Sequence, residues 1–145
     1  MALKETGCSG AMLLALFVAC DDSSPEPALF PSNFESTYTF VRDCRLSIDH
    51  GGKSMTVWAS PEGAAAYRAG TYPLPVATVL VKKLHNDGAC KELDGFVAMK
   101  KDATNAWVWQ ETDAKGKVIG PDKPGKCITC HDTCTEGRDS TCTDP

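Results

Sequence analysis

Apolar and polar residues alternate with a period of two through several short stretches of this chain, the pattern of strands that bury one face. Ser54-Met55-Thr56-Val57-Trp58 and Val76-Ala77-Thr78-Val79-Leu80-Val81 are β-branched or aromatic runs of this kind. Phe96-Val97-Ala98-Met99 and Ala106-Trp107-Val108-Trp109 flank the turn-like Lys101-Asp102-Ala103-Thr104-Asn105 and predict a hairpin. His50-Gly51-Gly52 reads as another turn, joining the run 45–49 to the next strand. One short helix interrupts the strands: Ser60 suits its cap, Pro61 its first position, Glu62 the positive end of its dipole, and Gly70 stops it. Four or five strands with this helix predict an α+β domain around an antiparallel sheet rather than a helical bundle.

The first twenty residues follow a different pattern. Lys4 precedes the apolar run 11–19, which ends at Cys20 and reads as a secretory signal, too short for a permanent membrane span. Phe17-Val18-Ala19-Cys20 resembles a bacterial lipobox, in which the cysteine thiol takes a diacylglyceryl group and becomes the new amino terminus. An ordinary cleaved signal and a buried N-terminal helix are the alternatives. The expected division is therefore a leader over 1–20 with lipidation at Cys20, a linker over 21–29, a folded domain over 30–135 and a tail over 136–145. The linker is expected to be flexible because Asp21-Asp22-Ser23-Ser24-Pro25-Glu26-Pro27 has no apolar surface to bury. This leader implies an exported protein of the periplasm or cell envelope, held to the membrane by its lipid.

Composition narrows the classes. The chain has 145 residues, 42% of them hydrophobic, enough for one modest core. Net charge is −4 and the basic residues are scattered among acids, so the electrostatic footprint of a nucleic-acid binder is missing. Eight cysteines are many for a reducing compartment. Cys8 and Cys20 fall in the leader and Cys127 and Cys130 in a CxxC, which leaves Cys44, Cys90, Cys134 and Cys142 as disulfide candidates. Spacing does not fix their connectivity. Pairing Cys44 with Cys90 and Cys134 with Cys142 would close one long loop and one short one, and free thiols are the alternative.

Cys127-Ile128-Thr129-Cys130-His131 fits the attachment pattern of a c-type haem. Two thiols separated by two residues can add across two vinyl groups, while the adjacent imidazole supplies an axial ligand. A bare CxxC would also suit zinc or a redox dithiol. The following histidine, the export signal and the lack of a second CxxC favour one covalently attached haem c, held by Cys127 and Cys130, with His131 as the metal ligand. The expected fold is thus an α+β antiparallel sheet with short helices and a C-terminal CxxCH haem-attachment segment.

In order and spacing, four features resemble the cytochrome P-460 family across residues 40–132. They are Met55-Thr56-Val57-Trp58-Ala59-Ser60-Pro61-Glu62 with Tyr67 and Gly70, Ala77-Thr78-Val79-Leu80-Val81-Lys82-Lys83-Leu84, Trp107-Val108-Trp109, and the CxxCH. The resemblance implies a β-rich fold, an open iron site and a small nitrogen ligand or substrate, with the related β-type cytochromes c′ binding nitric oxide. It implies hydroxylamine oxidation in some members, with a lysine cross-linked to the haem, and here Lys82 matches that lysine; its neighbour Lys83 is the alternative. Strand alternation lets only one of the two face the haem. The family's glutamate falls at Val97, a departure that weakens hydroxylamine turnover unless Glu92, Asp94 or Glu111 replaces it. A redox partner protein and a homodimer are also implied. His50, His85 and Met99 are the candidates for a sixth iron ligand, which would make an electron carrier instead. Phe96, Trp107 and Trp109 are expected to line an apolar distal pocket, or simply to pack the core.

Overall fold

The protein is described by a computed structural model covering residues 26–120, 125–134 and 136–143; the expected leader with Cys20 and the linker residues 21–25 lie outside these described residues. The chain opens with a short helix α1 (Phe34–Thr37) and then pairs each strand with its sequence neighbour. Strands β1 (Thr39–Ser47), β2 (Lys53–Ala59), β3 (Val79–His85), β4 (Leu93–Lys101) and β5 (Trp107–Asp113) make one antiparallel sheet in that order. Helix α2 (Pro61–Ala69) lies between β2 and β3, and α3 (Gly125–Asp132) follows the sheet. The α+β architecture on an antiparallel sheet is as the pattern predicts.

Local chemistry moves several boundaries. Of the run 45–49, residues 45–47 are the end of a longer strand, and Ile48–His50 forms a 3-10 turn closed by Gly51 at φ 72°. Strand β3 begins at Val79, three residues later than predicted, because Pro75 offers no N–H and Ala77 takes φ 68° in the turn before it. The strand then continues through the lysine pair to His85. Lys101, expected in the turn, is the last residue of β4 and is almost completely buried. The turn itself is built by Asp102, whose carboxylate accepts the Thr104 N–H at 2.8 Å and the Ala106 N–H at 3.0 Å. Ser60 does not cap α2 with its side chain; its hydroxyl accepts the Val79 N–H at 3.0 Å and ties the helix entry to β3.

Covering both faces of the sheet makes its central strand almost wholly buried. On one face Val41, Val57, Ala59, Leu80, Met99 and Trp109 pack with Ala64 and Tyr67 of α2. On the other, Val79, Val81, Phe96 and Ala98 pack under Phe30 and Phe34. Phe34 meets Trp58 and Phe96 edge-on, with ring centroids 5.9 and 5.8 Å away. The segment before α1 is fastened by Gln110, whose amide oxygen accepts the Leu29 N–H at 2.8 Å and whose amide nitrogen donates to Pro27 O at 3.1 Å. A disulfide joins Cys44 of β1 to Cys90 in the β3–β4 connection, with Cα atoms 5.9 Å apart.

Helix α2 approaches β3 so closely that a methyl group on Gly63 would overlap the side chain of fully buried Thr78. Alanine in place of glycine gains about 1 kcal/mol of helix propensity. Overpacking at a closed contact costs about 1–3 kcal/mol. Gly63→Ala is therefore expected to lower unfolding free energy by about 1 kcal/mol, read from the urea midpoint at unchanged slope.

Candidate functional site

Helical spacing gathers the motif onto one side of α3: positions 127, 130 and 131 stand at i, i+3 and i+4. That side meets the sheet, where Cys127 and Ile128 pack against the core formed by Leu80, Met99 and Trp109. Cys127 and Cys130 are half-buried and lie outside any disulfide. His131 is buried, its ring centroid 4.5 Å from that of Trp109. Its Nδ1 is 2.6 Å from the carbonyl oxygen of Ser140. A carbonyl can only accept, so Nδ1 carries the hydrogen and Nε2 keeps the lone pair. Burial, then the charge of Lys82, pushes the imidazole below its usual range, so it is neutral at pH 7, as a metal ligand must be.

Opposite α3, strand register sets one row of side chains across the sheet. Val57 pairs with Lys82, Lys82 with Val97, and Val97 with Glu111. Lys82 is buried, and its Nζ has no hydrogen-bond partner among the described residues. Burial lowers its pKa from 10.5 to about 8, with Arg42 adding repulsion and the nearby Cys130 and Cys127 acting the other way.

Between helix and row lies a cavity of about 260 Å³ whose walls include His50, Val97, Glu111, Cys127, Cys130 and His131. A smaller apolar recess of about 20 Å³ shares four of these walls and adds Lys82, Met99 and Trp109. Cys127, Cys130 and His131 thus converge on the larger cavity, and Lys82 joins Cys127 and His131 on the recess that adjoins it. Lys83 does not, since it faces the other side of the sheet and pairs with Glu35 at 2.8 Å. Phe96 also points away, into the aromatic layer, because Val97 takes the cavity face; Trp109 lines the recess and Trp107 packs beside it. Of the sixth-ligand candidates, His50 and Met99 line this space, whereas His85 is absent from its walls and is buried on the same side of β3 as Lys83 with neither ring nitrogen bonded.

The carboxylates separate in the same way. Glu92 is not on the cavity wall, and Asp94 is, but it is held by Lys53 at 2.7 Å. Glu111 is on the wall as the cross-strand neighbour of Val97. Sequence reasoning missed the tail: Asp139 pairs with the buried Lys101, and Ser140 reaches His131. No periodic pattern in the tail announces either contact. His131, Cys134 and Cys142 also bring donor atoms within 4.8 Å of one another, but Cys134 and Cys142 are joined in a disulfide and offer no thiolate to a metal.

Comparison with known protein families finds no family model that matches this chain, and no curated protein sequence matches it. The site's chemistry therefore has to be read from its donor set. Two thiols and a neutral imidazole on one helical face, above an apolar wall with a bare buried amine, fit a covalently attached haem. A tetrahedral zinc site would have to draw its fourth donor from His50 or Glu111 on the same wall, with the charge of buried Lys82 in the adjoining recess opposing a second cation.

An amine buried without a partner destabilises the fold while it is charged. In the protein before any cofactor is attached, stability should rise as pH increases from about 8 towards 10.5, where the unfolded chain still binds the proton and the folded one does not. Lys82→Met should abolish that rise and stabilise the protein at pH 7 by about 3 kcal/mol, the equivalent of the shift, measured by urea unfolding at several pH values.

Proposed function

We propose that this chain is an exported c-type haem protein of the cytochrome P-460 type that binds or oxidises a small nitrogen species at an open iron site. The single observation that carries the reading is the convergence of Cys127, Cys130 and His131 on the cavity whose adjoining recess Lys82 lines. The two thiols would hold one haem c by thioether bonds and His131 Nε2 would ligate its iron. When bound, the haem supplies an iron that takes up nitric oxide or hydroxylamine and accepts electrons for a redox partner protein.

The chain's own groups divide the remaining work. Lys82 presents an amine that is readily neutral and nucleophilic, suited to a haem-facing role and, in a hydroxylamine-oxidising form, to the cross-link. Val97, Met99 and Trp109 exclude water from the inner recess. Glu111 provides the carboxylate that Val97 lacks, one strand over, where it can accept a proton leaving the substrate. Cys20 would anchor the matured protein to the membrane by its lipid, and a second copy of the chain would complete a homodimer. A sixth iron ligand would instead make the protein an electron carrier. His50 is the residue that favours this second reading, because it lines the cavity with its ring centroid 6.5 Å from that of His131. A nitric-oxide sensor or scavenger without turnover is the third.

Expression in a host with haem-ligation machinery should give coloured protein with haem retained on denaturation, and Cys127→Ser with Cys130→Ser should release it. Colourless protein with both thiols open to alkylation would overturn the reading. A high-spin ferrous spectrum is expected for the open site and a sharp low-spin α band for the six-coordinate form; a red-shifted Soret band lost in Lys82→Ala would mark the cross-link.

If hydroxylamine is turned over, Glu111→Gln should lower kcat by about 100-fold or more while nitric oxide binding stays unchanged. An unaltered kcat would remove Glu111 from the proton path.

A further inference from the structure

Among the described residues, the tail beyond α3 contributes only Thr141 to the buried set, yet its polar groups reach the sheet and His131. Asp139 is the centre of the convergence. Its carboxylate receives the ammonium of Lys101, whose side chain is fully buried, and the Leu74 N–H at 2.8 Å. The Trp107 indole N–H reaches the Asp139 carbonyl at 2.9 Å. Four residues on, the Tyr67 hydroxyl meets both the carbonyl and the hydroxyl of Thr143 at 2.8 Å. These anchors lie on β4, β5, α2 and the loop before β3, so the short segment is tied to the β4–β5 side of the sheet face that carries the cavity.

Between the anchors the backbone takes an uncommon path. Asp139 and Ser140 both adopt left-handed conformations, at φ 52° and 59°, although neither is glycine. Consecutive residues of this kind persist only where the surroundings hold them. What the path achieves is to aim the Ser140 carbonyl at His131 Nδ1, 2.6 Å away, while the disulfide between Cys134 and Cys142 closes the loop around that contact.

We propose that the segment 136–142, held by the Cys134–Cys142 disulfide, is a clamp for His131, with Asp139 and Ser140 as positioning residues. The clamp fixes the tautomer and the ring plane of His131. By accepting the Nδ1 hydrogen it also makes Nε2 a stronger donor to iron, as outer-shell partners of metal-bound histidines do. This rests on the haem reading given above, and it assigns a purpose to the tail that the attachment motif does not require.

Two substitutions at one position test it in the haem-loaded protein. Ser140→Gly accepts the left-handed backbone and keeps the carbonyl, so the midpoint potential and the iron–histidine stretching frequency should match the parent. Ser140→Val disfavours that backbone and should turn the carbonyl away. The stretching frequency should then fall and the potential rise, with the reduced-to-oxidised ratio at fixed poise changing about tenfold, or ~59 mV for one electron. Cys134→Ser with Cys142→Ser should move both readouts in the same direction, and it serves if the valine variant does not fold. Parental potential and stretching frequency in both the valine and the double-serine proteins would overturn the clamp while leaving the haem reading intact. A parent chain that takes up no haem would overturn the reading and the clamp together.

Discussion

The pleat of β3 is the constraint on which the rest of the structure depends. As the central strand of five it is covered on both sides, so each of its residues must face one of two buried environments. Leu80, Lys82 and Leu84 turn towards α3 and the cavity, and Val79 and Val81 turn towards the aromatic layer. A shift of register by one residue would exchange Lys82 for Lys83 and send the unpartnered amine out to Glu35. The antiparallel pairing on both sides of β3 holds that register. The same pairing places Val97 and Glu111 in the row of Lys82 and lends the cavity a carboxylate from the next strand.

Among the described residues two lysines are buried on this face, and the contrast between them separates structure from chemistry. Lys101 has Asp139 as its partner, together with the face of Trp107 at 5.1 Å, so its charge is compensated where it is desolvated. Lys82 has no hydrogen-bond partner among the described residues and gives up part of its proton affinity. An ion pair of the first kind fastens the tail. A bare amine of the second kind costs stability, and it lies close to two thiols and an imidazole, a combination of perturbed groups that points to chemistry and not to packing.

The helix α3 and the tail act as one unit on the far side of the cavity. Helical spacing brings Cys127, Cys130 and His131 to a common side, and the tail then supplies the one acceptor that His131 Nδ1 needs. Neither piece achieves this alone, because an isolated eight-residue helix is marginal and the short disulfide-closed loop has no core of its own.

By itself the sequence determined what depends on neighbours along the chain. Period-two runs marked the strands, Pro61 and Gly70 bounded α2, and the spacing of Cys127, Cys130 and His131 singled them out as one motif, while the helix that carries them had no signal of its own. Alternation also limited the lysine pair to a single inward member. Only the tertiary structure decided which member that was, since the choice follows from which face of β3 the helix α3 covers. Likewise it took cross-strand register to bring Glu111 beside Val97, and long-range packing to bury Lys101 against Asp139 and to carry Ser140 back to His131. Contacts between residues far apart in the chain leave no periodic trace, because they are fixed by how the elements stack and not by the local backbone that each residue prefers.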